Sequence, residues 1–200
     1  MQNIDDFRAD VLKEIGNIGS GNFANSLSIL LDTDVGVSIP NVQTLDANAA
    51  ANLLGGPENI SVGIFFEVQG DVTGLIMLIM NLELADKLLI KFVNEGISED
   101  GSFTGMQFSA LSEIGNILAY SYANSISSLL QMDIKLSTPR VCVDMNGAIL
   151  CIPSIQMAEF SDKILLIETH FSNKTIDSGA EIFLIPDESS YNKIMATLGV

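Results

Sequence analysis

The chain has few of the side chains that usually bind metals or form covalent crosslinks. Its 200 residues include two cysteines, one histidine and no tryptophan. Cys142, Cys151 and His170 do not have the spacing of a zinc site, and two cysteines are too few for a disulfide framework. We therefore expect no metal and no other cofactor bound by this chain itself.

Basic residues are scarce as well. Nine Lys and Arg stand against 25 Asp and Glu, which gives a formal net charge of −16. This balance provides no basic patch for nucleic acid, so a protein is the expected partner. The charge either steers encounter with a basic partner or maintains solubility, and the sequence does not choose between the two.

Uncharged runs are present, but they are not typical of membrane spans. Residues 15–31 and 114–132 lack charged side chains, yet they are rich in Asn, Ser and Gly. This composition favours amphipathic, buried helices over insertion in a bilayer. The first residues lack the basic start and apolar stretch of a secretion signal. We therefore expect a cytoplasmic protein. Its 48% apolar residues can supply a sizeable core.

One polar pattern occurs twice, 99 positions apart. Residues 10–40 and 109–139 are identical at 15 of 31 positions, including Glu-Ile-Gly-Asn-Ile in both copies. A duplication kept only for packing would preserve apolar positions and let polar ones change. Here the polar positions persist, and they are Asp10, Glu14, Asn17 and Pro40 in the first copy and Ser109, Glu113, Asn116 and Pro139 in the second.

Helical spacing places the first three positions of each copy on one face. Asp10, Glu14 and Asn17 fall within about 60° of one another on a helix of 3.6 residues per turn. We expect these side chains to face water in both copies. The apolar residues expected on the opposite, buried side are Leu12, Phe23 and Leu30 in the first copy and Leu111, Tyr122 and Leu129 in the second.

Periodicity and turn residues predict a similar order of elements in the two halves. In the first half we expect a helix at about 6–32, an extended piece from Pro40, a short helix at about 46–54, strands at 60–68 and 73–80, and a helix at about 82–93. In the second half we expect a helix at about 104–132, a hairpin turning at Asn146-Gly147, strands near 163–171 and 180–185, and a terminal helix.

The predicted hairpin would place Cys142 opposite Cys151 across two strands. Free thiols that pack as small apolar groups are favoured in a reducing compartment, with a redox-active bond as the alternative. The hairpin would also distinguish this half from the first, where a short helix is expected instead.

The predicted fold class is α/β (α+β), a pseudo-twofold duplicated single domain. Its two repeats span about 1–98 and 99–200. Antiparallel strands from both halves should form a shared sheet beneath the two long motif-bearing helices.

The doubled pattern resembles the CheC/CheX/FliY family of bacterial chemotaxis phosphatases. Having two intact motifs without an appended switch domain is most similar to the CheC branch. The resemblance implies hydrolysis of the aspartyl phosphate on the response regulator CheY, with the deamidase CheD as a second partner. It also implies that Asn17 and Asn116 orient the attacking water, while Glu14 and Glu113 hold a receiver lysine beside the receiver's own Mg²⁺.

The remaining motif residues have supporting roles in this interpretation. Asp10 and Ser109 would dock or support the partner, and Pro40 and Pro139 would fix the chain leaving each helix. Two other functions stay open: a binding module that captures CheD or phosphorylated CheY, and a duplicated structural protein with incidental polar faces.

Glycines differ between the two motif helices. Gly19 lies on the apolar side, where close packing of helices is the favoured explanation, whereas Gly21 lies on the motif face and would let a partner approach closely. Tyr120 occupies the place of Gly21 in the second copy, so the two copies need not be equally active.

Overall fold

The two halves of the protein contain a similar order of elements. The computed structural model describes residues 6–45, 50–52, 54–157, 164–173 and 176–199. The first half contains α1 (Asp6–Leu31), β1 (Gly36–Val37), β2 (Asn41–Leu45), β3 (Ile60–Gly70), β4 (Gly74–Asn81) and α2 (Leu82–Val93). The second half contains α3 (Gly105–Leu130), β5 (Ile134–Leu136), β6 (Arg140–Met145), α4 (Asn146–Met157), β7 (Ile164–Asn173), β8 (Ile176–Pro186) and α5 (Glu188–Thr197).

The long helices and the strands lie close to their predicted positions. Thr104 caps α3 in a capping box with Gln107, which explains why that helix starts directly after the polar connection between the halves. The short helix expected at about 46–54 falls partly outside the described residues, and within it residues 50–52 are helical. No helix in the described part of the chain is long and apolar enough to cross a membrane.

The strands of both halves form one antiparallel sheet. Its order is β1-β7-β8-β4-β3-β5, with β2 also paired to β7 and β6 also paired to β3. The halves therefore exchange strands, because β2 of the first half pairs with the second half's β7 and β6 pairs with β3 of the first. At the centre, Met77 of β4 lies opposite Phe183 of β8. These are equivalent positions in the repeats, so an approximate twofold axis passes through this pair.

The larger core lies between one face of the sheet and the helices α1, α2 and α3. Leu12, Phe23, Leu111 and Tyr122 are fully buried there. The Phe23 ring stacks on Phe171 of β7 with centroids 4.2 Å apart. This core fixes which side of α1 and α3 faces the sheet and which side faces solvent.

The opposite face of the sheet is covered by shorter helical pieces. Residues 50 and 51 and helix α4 pack there on a smaller cluster that includes Phe65, Met77 and Phe183. Because both faces are covered, β4 is a continuous apolar run with side chains buried on both sides.

The predicted hairpin at Asn146-Gly147 is wrong, because these residues begin α4. The Asn146 side chain is buried and donates hydrogen bonds to the carbonyls of Leu54 at 3.0 Å and Gly56 at 3.3 Å. The Gly147 backbone N–H donates to the Pro57 carbonyl at 3.0 Å. These long-range contacts with the first half replace the local turn that the dipeptide would form alone.

The cysteine arrangement predicted with that hairpin is therefore wrong too. Cys142 is half-buried on β6, Cys151 is exposed on α4, and both are free thiols. Burial raises the pKa of the Cys142 thiol. The expected contrast of a helix in one half and a hairpin in the other also disappears, since a helical piece precedes the long strands in both halves.

Candidate functional site

The motif face of α1 is exposed to solvent, as predicted. The side chains of Asp10, Glu14 and Asn17 are all exposed, while Leu12 and Phe23 on the other side are fully buried. Leu30 is half-buried against the same core. The helix thus presents a carboxylate and an amide one turn apart on its outer surface.

The motif face of α3 is similar, with differences in burial. Ser109 and Glu113 are exposed and Asn116 is half-buried. Leu111 and Tyr122 are fully buried as predicted, but the expectation for Leu129 is wrong because its side chain is 38% exposed. The adjacent Leu130 fills the core position at this end of the helix instead.

The first motif position in each copy is already engaged within its own helix. The Asp10 carboxylate lies 3.0 Å from Lys13 Nζ in an exposed ion pair. Ser109 Oγ donates to the Gly105 carbonyl at 2.9 Å. Exposed ion pairs of this kind contribute little to stability.

The Glu and Asn side chains, in contrast, are available to a partner. Within the described parts of the chain, no hydrogen bond or ion pair engages Glu14, Asn17, Glu113 or Asn116. Folding therefore does not require these polar groups. The Glu carboxylates can accept hydrogen bonds from a bound protein, and the Asn amides can both donate and accept them.

A glycine between Glu and Asn brings each motif helix against the sheet. A Cβ at Gly16 would lie 2.7 Å from Ile167 Cγ2, and one at Gly115 would lie 2.7 Å from Ile64 Cδ1. Ile64 of β3 and Ile167 of β7 are equivalent positions of the two repeats. Sequence analysis did not assign a role to this pair of glycines, although their place inside the repeated Glu-Ile-Gly-Asn-Ile was the available signal.

The two prolines start the short strands that follow the motif helices. β2 begins at Asn41 directly after Pro40, and β6 begins at Arg140 directly after Pro139. Pro40 is buried, and its Cβ lies 3.0 Å from the position that a Cβ on Gly16 would take. Pro139 is half-buried. In the first copy the proline thus packs beneath the motif itself.

The two motif copies lie at separate places on the surface. Ser121 Oγ of α3 donates to the Asn22 carbonyl of α1 at 2.9 Å, and these residues are equivalent positions of the repeats. The two motif helices are therefore in contact at equivalent positions of the repeats. Asn17 and Asn116 each precede this contact by five residues of their own helix, about 7.5 Å. The fold therefore brings Glu and Asn together within each copy but keeps the copies apart.

The surroundings of the two copies differ at the next turn of the helix. Gly21 is exposed, and a Cβ there would meet no atom within 4 Å. Tyr120 is 39% exposed, and its hydroxyl donates to the Leu136 carbonyl at 3.3 Å. Gly19 packs against the Tyr122 ring, as close helix packing predicts. The first copy is thus the more open of the two beside its Asn.

His170 does not join either motif. Its Nδ1 lies 2.9 Å from Glu181 Oε1, and this hydrogen bond raises the pKa of His170. Among the described residues, no three His, Cys, Asp or Glu side chains are grouped so that they could hold a metal ion.

Comparison with known protein families gives a match at the two motif regions. Residues 7–42 and 106–143 match the CheC-like family. These segments contain every motif position from Asp10 to Pro40 and from Ser109 to Pro139. The match to this family therefore falls on the two repeated segments that carry the motifs.

The similarity to CheC-like proteins extends over nearly the whole chain. The CheY-P phosphatase CheC of Bacillus subtilis is 28% identical over 198 residues, which cover 95% of this chain and 93% of that protein. The crystal structure of Thermotoga maritima FliY matches with a TM-score of 0.73 at 20% identity and covers 99% of this chain and 98% of its own. A CheC-like superfamily protein from Shewanella matches with a TM-score of 0.59 at 16% identity, covering 86% of this chain and 97% of its own. The structural matches show that the fold is that of the CheC-like and FliY proteins.

Proposed function

We propose that this chain is a phosphatase that hydrolyses the aspartyl phosphate of the response regulator CheY. The observation that carries the proposal is the pair of Glu and Asn side chains on the outer surface of each motif helix, which is repeated in both halves and has no side-chain partner among the described residues; three of the four side chains are exposed and Asn116 is half-buried. The B. subtilis relative named a CheY-P phosphatase supports the choice of substrate.

In this mechanism, Asn17 and Asn116 orient the attacking water. A neutral amide is not a strong base, but it can donate and accept hydrogen bonds at once. Phosphoryl transfer depends chiefly on positioning and electrostatics, so an aligned water is a sufficient contribution. Glu14 and Glu113 each bind a receiver lysine through a charge-assisted contact. This contact sets how deeply the neighbouring Asn enters the phosphorylation site of the receiver.

The other parts of the reaction come from the partner. The chain holds no cofactor of its own in this proposal, and the receiver domain of CheY supplies Mg²⁺. Asp10 and Ser109 dock or support the receiver, while Pro40 and Pro139 fix the strand that leaves each helix. We further propose CheD as a second partner and the cytoplasm as the location.

The test is the decay of phosphorylated CheY, in the presence of Mg²⁺, with the parent protein and with Asn17→Ala, Asn116→Ala and the double variant. Each single variant should retain the activity of its intact copy. The double variant should lose about 100-fold in rate, the cost of removing one well-placed polar group from each site. Replacing Asn25 and Asn124, which are also exposed Asn residues of α1 and α3, provides the matched control.

The outcomes separate the proposed enzyme from a binding module. A folded double variant that acts as fast as the parent would show that Asn does not carry the reaction. A parent protein that binds phosphorylated CheY or CheD without accelerating hydrolysis would instead support capture as the function. Because all four Asn side chains lie on the helix surfaces or only half-buried, and Ala is a better helix former, the variants should remain folded.

A further inference from the structure

Each motif helix carries a large apolar side chain in solvent, one turn before the motif. Phe7 of α1 is 65% exposed and Met106 of α3 is 66% exposed. They are 99 positions apart, the same separation that relates the two motifs. Single exposed apolar residues are ordinary on protein surfaces. Here, the same kind of residue is exposed to nearly the same extent at equivalent positions.

These two side chains lie in register with the motif. Phe7, Asp10, Glu14 and Asn17 follow one another at intervals of three, four and three residues, which places them along one stripe of the helix. Met106 begins the same series in the second copy. The apolar residue lies about 10 Å along the helix from the Glu and about 15 Å from the Asn.

The core clusters of the described residues do not explain why these two positions are apolar. Neither Phe7 nor Met106 is among the residues of the two described core clusters or among those packed against them. The next apolar pair, Ala9 and Phe108, is at least partly buried, and Phe108 contacts the Phe103 ring at 5.7 Å between centroids. Among the described residues, neither side chain of the exposed pair therefore belongs to a core cluster whose packing would preserve it.

We propose that Phe7 and Met106 are docking anchors for the phosphorylated receiver domain, an inference that rests on the proposed function. Each anchor binds an apolar spot on the receiver about 15 Å from the phosphorylated aspartate, while the Glu about 10 Å further along the helix meets the receiver's lysine. The receiver is favoured as the occupant because the anchors are continuous with the motif faces. Asp10 and Glu14 follow Phe7 along the same stripe of the helix, and these carboxylates favour a receiver whose surface is basic near the apolar spot.

The test removes each anchor in a protein whose other motif copy has been inactivated. Phe7→Ala is made in the Asn116→Ala protein and Met106→Ala in the Asn17→Ala protein, so the other copy cannot mask the loss. With phosphorylated CheY and Mg²⁺, we expect KM to rise about tenfold at unchanged kcat, since an anchor distant from the phosphate contributes binding rather than chemistry. Phe7→Leu should retain most of the affinity. Ile29→Ala, at a 71% exposed position off the motif face, should leave KM as it was.

Each result decides a different claim. If the single-copy parents are active and removal of the anchors leaves KM unchanged, the anchors are wrongly assigned while the phosphatase function stands. If the parent protein does not accelerate hydrolysis at all, the proposed function is wrong and this inference falls with it. If the substitutions convert a dimer of this chain to a monomer, measured by sedimentation, with KM unchanged, the occupant is a second copy and the receiver assignment is overturned.

Discussion

Substitution of Gly115 tests how the motif is held against the sheet. A Cβ added there would lie 2.7 Å from Ile64 Cδ1 and 2.8 Å from Ile64 Cγ2, both closer than side chains pack in proteins. Ile64 is fully buried, so the contact is relieved only by movement of the helix or the strand. Such overpacking costs about 1–3 kcal/mol, and the better helix propensity of Ala offsets about 1 kcal/mol of it. Gly115→Ala should therefore lower the free energy of unfolding by about 0–2 kcal/mol.

Gly21→Ala is the matched control, because it makes the same change in a motif helix without a contact. A Cβ at Gly21 meets no atom within 4 Å, so this variant should gain about 0.5–1 kcal/mol from helix propensity alone. The two variants should thus differ by about 1–3 kcal/mol, measured by urea unfolding and by thermal shifts of about 2–4 °C per kcal/mol. Ile64→Val, which removes the nearer methyl, should restore part of the loss in Gly115→Ala. Equal stabilisation by both Gly→Ala substitutions would refute the close contact.

Two further predictions concern the site and the core. Substituting Gln for both Glu14 and Glu113 should raise KM and lower kcat in assays of steady-state phosphate release, because a charged anchor becomes neutral at the same size. Unchanged KM and kcat would exclude the anchoring role. Tyr122→Phe should raise the free energy of unfolding by about 1 kcal/mol in urea titrations, because the Tyr122 hydroxyl is buried without a hydrogen-bond partner among the described residues. Phe23 already occupies the equivalent position in the first copy, and lower stability of Tyr122→Phe would show that its hydroxyl has a partner.

The elements and the exposed motif faces could be predicted because their signals are local and repeated. Helical periodicity in α1 and α3 is long enough to fix which side is buried. The duplicated Glu and Asn predicted a role for these positions beyond packing. The prediction that Leu129 is buried was wrong because the buried side of α3 changes near its end, where Leu130 contacts the core instead. Whether one residue of a helical pattern is buried is hardest to predict at the end of the helix, where the helix no longer packs against other elements.

The hairpin prediction was wrong for a different reason, because the conformation of Asn146 and Gly147 depends on residues far away in the chain. Asn146-Gly147 is a strong local turn signal. In the structure, the Asn146 amide satisfies the carbonyls of Leu54 and Gly56, which lie in the other half. No local pattern contains that information. The roles of Gly16 and Gly115 were missed for the same reason, because their partners are strand residues of the opposite repeat.

Each motif is supported by the half that does not encode it. Gly16 packs on Ile167 of β7, and the buried Ser20 hydroxyl lies 2.8 Å from Thr169 of the same strand, so α1 rests on the second half. Gly115 packs on Ile64 of β3, so α3 rests on the first half. The strands that follow the motif prolines are exchanged in the same way, with β2 on β7 and β6 on β3. An isolated half would therefore expose its motif helix without the strand that positions it. The duplication thus yields two separate surfaces for a partner but one shared scaffold, and a single copy can be silenced cleanly only at its exposed side chains.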